Sequence, residues 1–266
     1  MASFRLGNQK YKEIDESIRR YFSEGDDLNR IISTFPKDPY LQSALNEYSG
    51  LRLLTQDPWE CLISFVCSIN SNIPSIKLKI ENLCRRFGRE ILNGESNHIF
   101  TFPDARSLAR ASKQQLLACK LGFRWRYVKF IAKKVESGEL NLTNIQKLSY
   151  EAARSELMSE ISEKTQGVGP KVADCVLLFS MRKLEAFPMD VWMMRCISNN
   201  YFEQVRDLFP SGKIQMSASK YLAVSAIMRH YFGKYAGYAQ QYLYMKSRNE
   251  GRLFDVKSGL ERKSKP

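Results

Sequence analysis

The chain is 266 residues long and 44% hydrophobic, and it carries 41 Lys and Arg against 28 Asp and Glu, a formal charge of +13. That length and apolar content suffice for one large or two small buried cores, and the excess of cations makes a polyanion the natural partner. No uncharged apolar run of about 18 residues occurs and the N-terminus has no apolar h-region, so neither a membrane span nor a secretory signal is expected. The protein is therefore expected inside the cell, in the cytoplasm of a prokaryote or the nucleus of a eukaryote.

In chain order the sequence reads as helix after helix. Residues 10–23 space Ile14, Ile18 and Phe22 at i, i+4 and i+8, one apolar stripe. Residues 27–35 and 40–48 are shorter pieces of the same kind. Asp57 and Pro58 open a buried helix, WECLISFVCSI, with Asp57 as its cap. Ile73 to Phe87 follows and stops at Gly88, as helices often do. Further segments start at Asp104, at Ser112, at Arg124 and, with a Ser cap, at Ser149. No alternating strand longer than a few residues is found. The expected fold is all-α: two helical subdomains flanking a cleft, with a helix-hairpin-helix motif.

That motif is Gly167-Val168-Gly169-Pro170, a turn between two helical runs. The helix after it is almost wholly apolar yet carries Lys171 in its first turn. The helix macrodipole disfavours a cation at that end, and the neutral amine of a lysine is a nucleophile. Nineteen residues beyond Lys171 stands Asp190, after Pro188 and Met189, where a helix N-cap belongs. Taken singly, each feature is ordinarily only a turn, a solvated lysine or a cap; together they are specific.

Two other stretches offer chemistry. Between the first two buried helices lies Ser68-Ile69-Asn70-Ser71-Asn72, and farther on lies Gly122-Phe123-Arg124-Trp125-Arg126. The plain readings are a connecting loop and a half-buried surface aromatic. An enzyme that takes a base out of a duplex must also fill the gap and pair with the orphaned partner. Asn and Arg can bond base edges, and an aromatic ring can wedge into a stack. Lys171 and Cys175 are four apart on one helix, and Gln240 and Tyr244 four apart on another, so each pair shares a face. On residues alone, Tyr244 reads as a core tyrosine and Gln240 as a solvated helix residue.

The six cysteines, Cys61, Cys67, Cys84, Cys119, Cys175 and Cys196, include no C-x-x-C, and the histidines are His98 and His230 alone. No metal site is expected, and reduced core thiols are the default.

The strings GLRLLTQDPWECLISFVCSINSNI, LGFRWRYV, GVGPKVADCVLLF, FPMDVWM and FGKYAGYAQQYLY, in this order, resemble the 8-oxoguanine DNA glycosylase family of the helix-hairpin-helix superfamily. The likeness runs over residues 14–248. It implies that Lys171 is the nucleophile and Asp190 the assisting carboxylate, and that Cys175 and Tyr244 face the lesion while Gln240 hydrogen-bonds the flipped base. It also implies that Asn70 and Arg124 contact the estranged cytosine, that Phe123 is the wedge, and that Gly167 and Gly169 hold DNA phosphate. The implied activity is a bifunctional glycosylase and abasic-site lyase acting through a lysine Schiff base and β-elimination. It needs no cofactor and acts as a monomer on double-stranded DNA containing oxidised guanine. A glycosylase for other altered purines and a non-catalytic helix-hairpin-helix DNA-binding module are the alternatives.

Four departures stand out. The chain is expected to lack the family's N-terminal β-rich domain. Trp192 stands where the family has a phosphate-contacting His and Ser247 where it has that histidine's Asp partner. Ser75 replaces an arginine that reads the opposite cytosine, and Tyr244 replaces a Phe. The expected division is a six-helix-type subdomain over 57–184 with the hairpin, a second helical subdomain from 1–56 plus 185–250, and a basic, mobile tail over 251–266.

Overall fold

The computed structural model describes residues 8–91, 98–165 and 168–263, and these are helical almost throughout. The only strand among them is a two-residue antiparallel pair, Glu90–Ile91 with Ile99–Phe100, too short to leave an alternating pattern in the sequence. The chain divides into two compact units, Met1–Thr55 with Arg182–Pro266, and Gln56–Met181.

The first unit opens with α1 (Asn8–Tyr21), α2 (Leu28–Ser33) and α3 (Pro39–Glu47). The apolar stripe of α1 forms as its spacing predicts, but Ile14 and Ile18 stay 46% and 52% exposed, so the helix has an amphipathic face that the described residues leave uncovered. Asp38 starts α3: its carboxylate accepts the Leu41 N–H at 2.7 Å, with Pro39 at the first helical position. The same carboxylate receives the hydroxyls of Tyr201 at 3.0 Å and Tyr231 at 3.2 Å, so a buried charge is fully bonded.

The second unit holds α4 (Pro58–Ser68), α5 (Ile73–Phe87), α6 (Ala105–Arg110), α7 (Lys113–Ala118), α8 (Trp125–Ser137), α9 (Leu142–Lys147), α10 (Tyr150–Thr165) and α11 (Pro170–Met181). Polar residues start them: Asp57 accepts from the N–H groups of Trp59 and Glu60, Asn72 from Ser75, Asp104 from Ser107, and Ser112 forms a capping box with Gln115. Gly88 ends α5 for a reason other than a left-handed cap: a Cβ there would lie 2.0 Å from the Thr101 carbonyl oxygen, so only glycine lets the two backbones approach. α4 packs on α11 and α5, α6 on α8, and α10 on α11.

The chain returns to the first unit with α12 (Val191–Asn200), α13 (Phe202–Val205), α14 (Ala218–Phe232) and α15 (Ala236–Lys263). α15 packs against α3, α12 and α14, and Tyr238, Tyr242 and Leu243 are wholly buried there. Arg182, the residue after α11, takes a left-handed φ of 59°. It is fixed there by the Asp26 carboxylate, which Nη1 reaches at 3.1 Å and which the Tyr238 hydroxyl also bonds. The six cysteines are all free, and all except Cys84 are buried.

Candidate active site

α11 is the most thoroughly buried helix of its unit: Val172 through Leu178 are all buried. Gly169 starts it, its carbonyl accepting the N–H groups of Val172 at 3.0 Å and Ala173 at 3.1 Å, with open space where a Cβ would be. Gly167, the other glycine of the hairpin, lies outside the described residues. Lys171 is half-buried, and its Nζ sits 5.1 Å above the ring of Phe65, which in turn stacks on Phe179 at 5.7 Å. Among the described residues of its unit Lys171 has no hydrogen-bond or ion-pair partner. The Lys171 side chain therefore rests on an aromatic surface in the first turn of a helix.

One turn on, Cys175 is buried beside Cys61, whose thiol is pushed up by burial first and by Cys175 next. Between Lys171 and Cys175 in sequence comes a residue that the sequence reading passed over. Asp174 is fully buried and accepts the Tyr150 hydroxyl at 2.6 Å, with Arg154 at 3.7 Å and bonded to the same hydroxyl at 2.7 Å. This paired charge ties α11 to α10. A lone Asp in an apolar helix was the signal for it.

In the other unit, Asp190 is the N-cap of α12, its Oδ1 accepting the Met193 N–H at 3.0 Å. The turn before it is held from two sides. Gln240 donates through Nε2 to the Pro188 carbonyl at 2.9 Å, and the Met189 N–H donates to the Tyr221 hydroxyl at 3.1 Å. Gln240 is 3% exposed, so its reading as a solvated helix residue is corrected: its amide is inside the fold, with Oε1 taken by Gln241 at 2.7 Å. Tyr244 is half-buried with the Arg248 guanidinium 5.9 Å above its ring, which sets aside the core-tyrosine reading as well. Trp192 and Ser247 stay coupled by another bond, the Ser247 hydroxyl donating to the Trp192 carbonyl at 3.1 Å, and Arg195 lies 4.8 Å over the indole. A Cβ on Gly251 would meet that indole at 2.2 Å.

The remaining candidates come together within the second unit. Phe123 is 48% exposed at the 3-10 turn Gly122–Arg124, its ring lying on the Arg124 guanidinium at 4.4 Å. Arg124 is buried, and its donors go inward to three carbonyls: Ile69, Asn70 at 2.9 Å and Leu121 at 3.2 Å. Asn70 is exposed with a left-handed φ of 46°, and its carboxamide has no partner among the described residues of its unit. Missed by sequence reasoning was Lys79, which is 3% exposed and bonds Ser71 Oγ at 2.9 Å and Ser75 Oγ at 2.5 Å.

The chain has relatives of known kind. A protein of Methanothermobacter thermautotrophicus named as a probable N-glycosylase/DNA lyase is 32% identical over 93% of this chain and 79% of its own length. The chain belongs to the 8-oxoguanine DNA glycosylase family. The sequence profile of that family's N-terminal domain matches residues 5–62, which here hold α1 to α3 and the start of α4. The N-glycosylase/DNA lyase of Saccharomyces cerevisiae is 33% identical over 74% of the chain, which spans 57% of that relative. Among solved structures, the Clostridium acetobutylicum 8-oxoguanine glycosylase/lyase in its apo form aligns over 90% of the chain and 76% of its own, at 32% identity and a TM-score of 0.76. The same glycosylase solved with double-stranded DNA containing cytosine opposite 8-oxoguanine aligns with a TM-score of 0.77. Ser75 and Ser247, two of the positions singled out in the sequence, carry local bonds: Ser75 with Lys79, and Ser247 with Trp192.

Proposed function

We propose that this chain is a bifunctional DNA glycosylase and abasic-site lyase that removes 8-oxoguanine from duplex DNA as a monomer. The observation that carries the reading is Lys171, half-buried on Phe65 in the first turn of α11 and without a carboxylate partner among the described residues of its unit. Membership of a family whose relatives are named N-glycosylase/DNA lyase supports it.

The chemistry follows from the groups present. The hairpin backbone at Gly167 and Gly169 binds phosphate, and the damaged nucleotide leaves the stack with Phe123 wedged into the gap. Asn70 faces the base left behind, and Arg124, bonded to the Ile69 and Asn70 carbonyls, holds the loop that presents it. Cys175, Tyr244 and Gln240 receive the flipped base; Gln240 also holds the Pro188 carbonyl and so the turn that carries Asp190. The Lys171 amine forms a bond to C1′ as the bond from C1′ to the base breaks, and the electron pair leaves with the base, which takes up a proton. Asp190 stabilises the positive charge that builds on the sugar. The sugar ring opens to a Schiff base, loss of a C2′ proton expels the 3′ phosphate, and water then releases the lysine.

A second reading has one observation in its favour. The DNA-3-methyladenine glycosylase of Bacillus subtilis is 28% identical over 68% of the chain, which makes other altered purines alternative substrates. Single-turnover excision over a panel of duplexes decides: preferential release of 8-oxoguanine is expected, and faster release of an alkylated purine would overturn the assignment.

A further inference from the structure

Two cations lie under the loop that carries Asn70, and neither has an acidic partner among the described residues. Lys79 is 3% exposed and Arg124 6% exposed. The Lys79 ammonium is surrounded by oxygens of two serines, Ser71 Oγ at 2.9 Å, Ser75 Oγ at 2.5 Å and the Ser75 carbonyl at 3.2 Å. Arg124 is spent on the carbonyls of Ile69, Asn70 and Leu121. Cys67, within electrostatic reach of both, supplies no counter-charge: burial pushes its thiol up to about 12 despite the two cations. Burial, and then Arg124, hold the Lys79 ammonium below the ordinary lysine range. An arrangement of two like charges without an anion disfavours the fold. Its product is the shape of the loop: Ile69, Asn70, Ser71 and Ser75 are all held from below, while Asn70 keeps a left-handed backbone and an exposed carboxamide with no partner among the described residues of its unit.

The reach of Lys79 has a plain cause. Side chains on a helix lean toward its N-terminus, so a lysine at i+4 covers the residue one turn before it. Ser75 is short enough to leave that space, and the ammonium from position 79 occupies it. Positive charge thus reaches position 75 from one turn downstream.

We propose that Lys79 is a positioning residue for recognition of the base opposite the extruded nucleotide: it fixes the loop from Asn70 to Ser75 so that the Asn70 carboxamide meets that base preset. This rests on the reading that the chain binds damaged duplex DNA, and binding measurements test it without requiring catalysis. The probes are two duplexes carrying an uncleavable tetrahydrofuran abasic analogue, one with cytosine opposite it and one with a second tetrahydrofuran, which leaves no base to read. Lys79→Met is expected to weaken binding to the cytosine duplex by roughly tenfold and to leave the base-free duplex unchanged at matched salt. Because Lys79→Met could disturb folding, the variant Ser71→Ala/Ser75→Ala, which keeps the ammonium and removes two of its acceptors, is expected to give the same pattern. Equal losses on both duplexes, or no loss on either, would overturn the proposal. Borohydride trapping by the wild-type protein in the same preparations reports separately on the catalytic reading.

Discussion

The Gln240 side chain donates to the Pro188 carbonyl at 2.9 Å across 52 residues of sequence, and this bond holds the turn from which Asp190 caps α12. A residue that the family resemblance assigns to the flipped base thus has a second role as a support for the carboxylate. Gln240→Leu keeps the volume and leaves a buried carbonyl unpaired, at a cost of about 1–3 kcal/mol. A lower Tm is expected, with single-turnover excision falling up to about a hundredfold as the carboxylate shifts. An unchanged Tm would show that the bond contributes nothing to the turn.

Asp190 separates cleanly into cap and charge. Asn is about as good an N-cap as Asp, and losing the cap altogether costs about 1 kcal/mol. Asp190→Asn should therefore leave Tm almost where it was while excision falls steeply. Stability and rate declining in proportion would make the residue structural only.

Ser75 sets the expected tolerance toward the opposite base. A bidentate contact contributes about 1–3 kcal/mol of discrimination, roughly ten- to a hundredfold in rate, and a serine hydroxyl already bonded by Lys79 at 2.5 Å cannot supply it. Excision of 8-oxoguanine should proceed opposite all four bases with a modest preference for cytosine, and Ser75→Arg should sharpen that preference. It should do so at a loss of Tm, because a third cation would join Lys79 and Arg124. A wild-type preference of several thousandfold for cytosine, measured as single-turnover rates, would contradict this.

Asp26 gives a pH dependence with a definite sign. Burial alone would raise its carboxyl, but bonds from Arg182 and Tyr238 hold it below the usual range. A carboxyl depressed in the fold stabilises fully above its unfolded value of about 3.9 and ceases to do so as pH falls through the lower, folded value. The stability difference between wild type and Asp26→Asn should be largest near neutrality and narrow below about pH 4. A gap that stays constant into acid would contradict the assigned bonds.

Much of this was legible in the sequence because it is local. Asp57 before Pro58 and Asp190 before Val191 announced their caps, and Gly169-Pro170 announced the start of the helix that carries Lys171. What was not legible depends on distant partners. The bonds from Arg182 to Asp26 and from Gln240 to Pro188 join residues that sit far apart in the chain. Lys79 carried no local signal, because its burial depends on the Ser71 and Ser75 hydroxyls that receive its ammonium. The stripe on α1 was read correctly as a face, but periodicity does not say what covers a face, and Ile14 and Ile18 are exposed. Gly88 was placed as a helix stop, while the reason, the approach of the Thr101 carbonyl, lies thirteen residues on.

A covalent bond between Lys171 and the sugar is measured by borohydride trapping on a duplex containing 8-oxoguanine. The wild-type protein should give a stable protein–DNA adduct and a cleaved strand. Lys171→Gln should give neither, while binding the duplex with nearly wild-type affinity at matched salt. A normal yield of trapped adduct from Lys171→Gln would contradict the assignment of the nucleophile and the mechanism built on it.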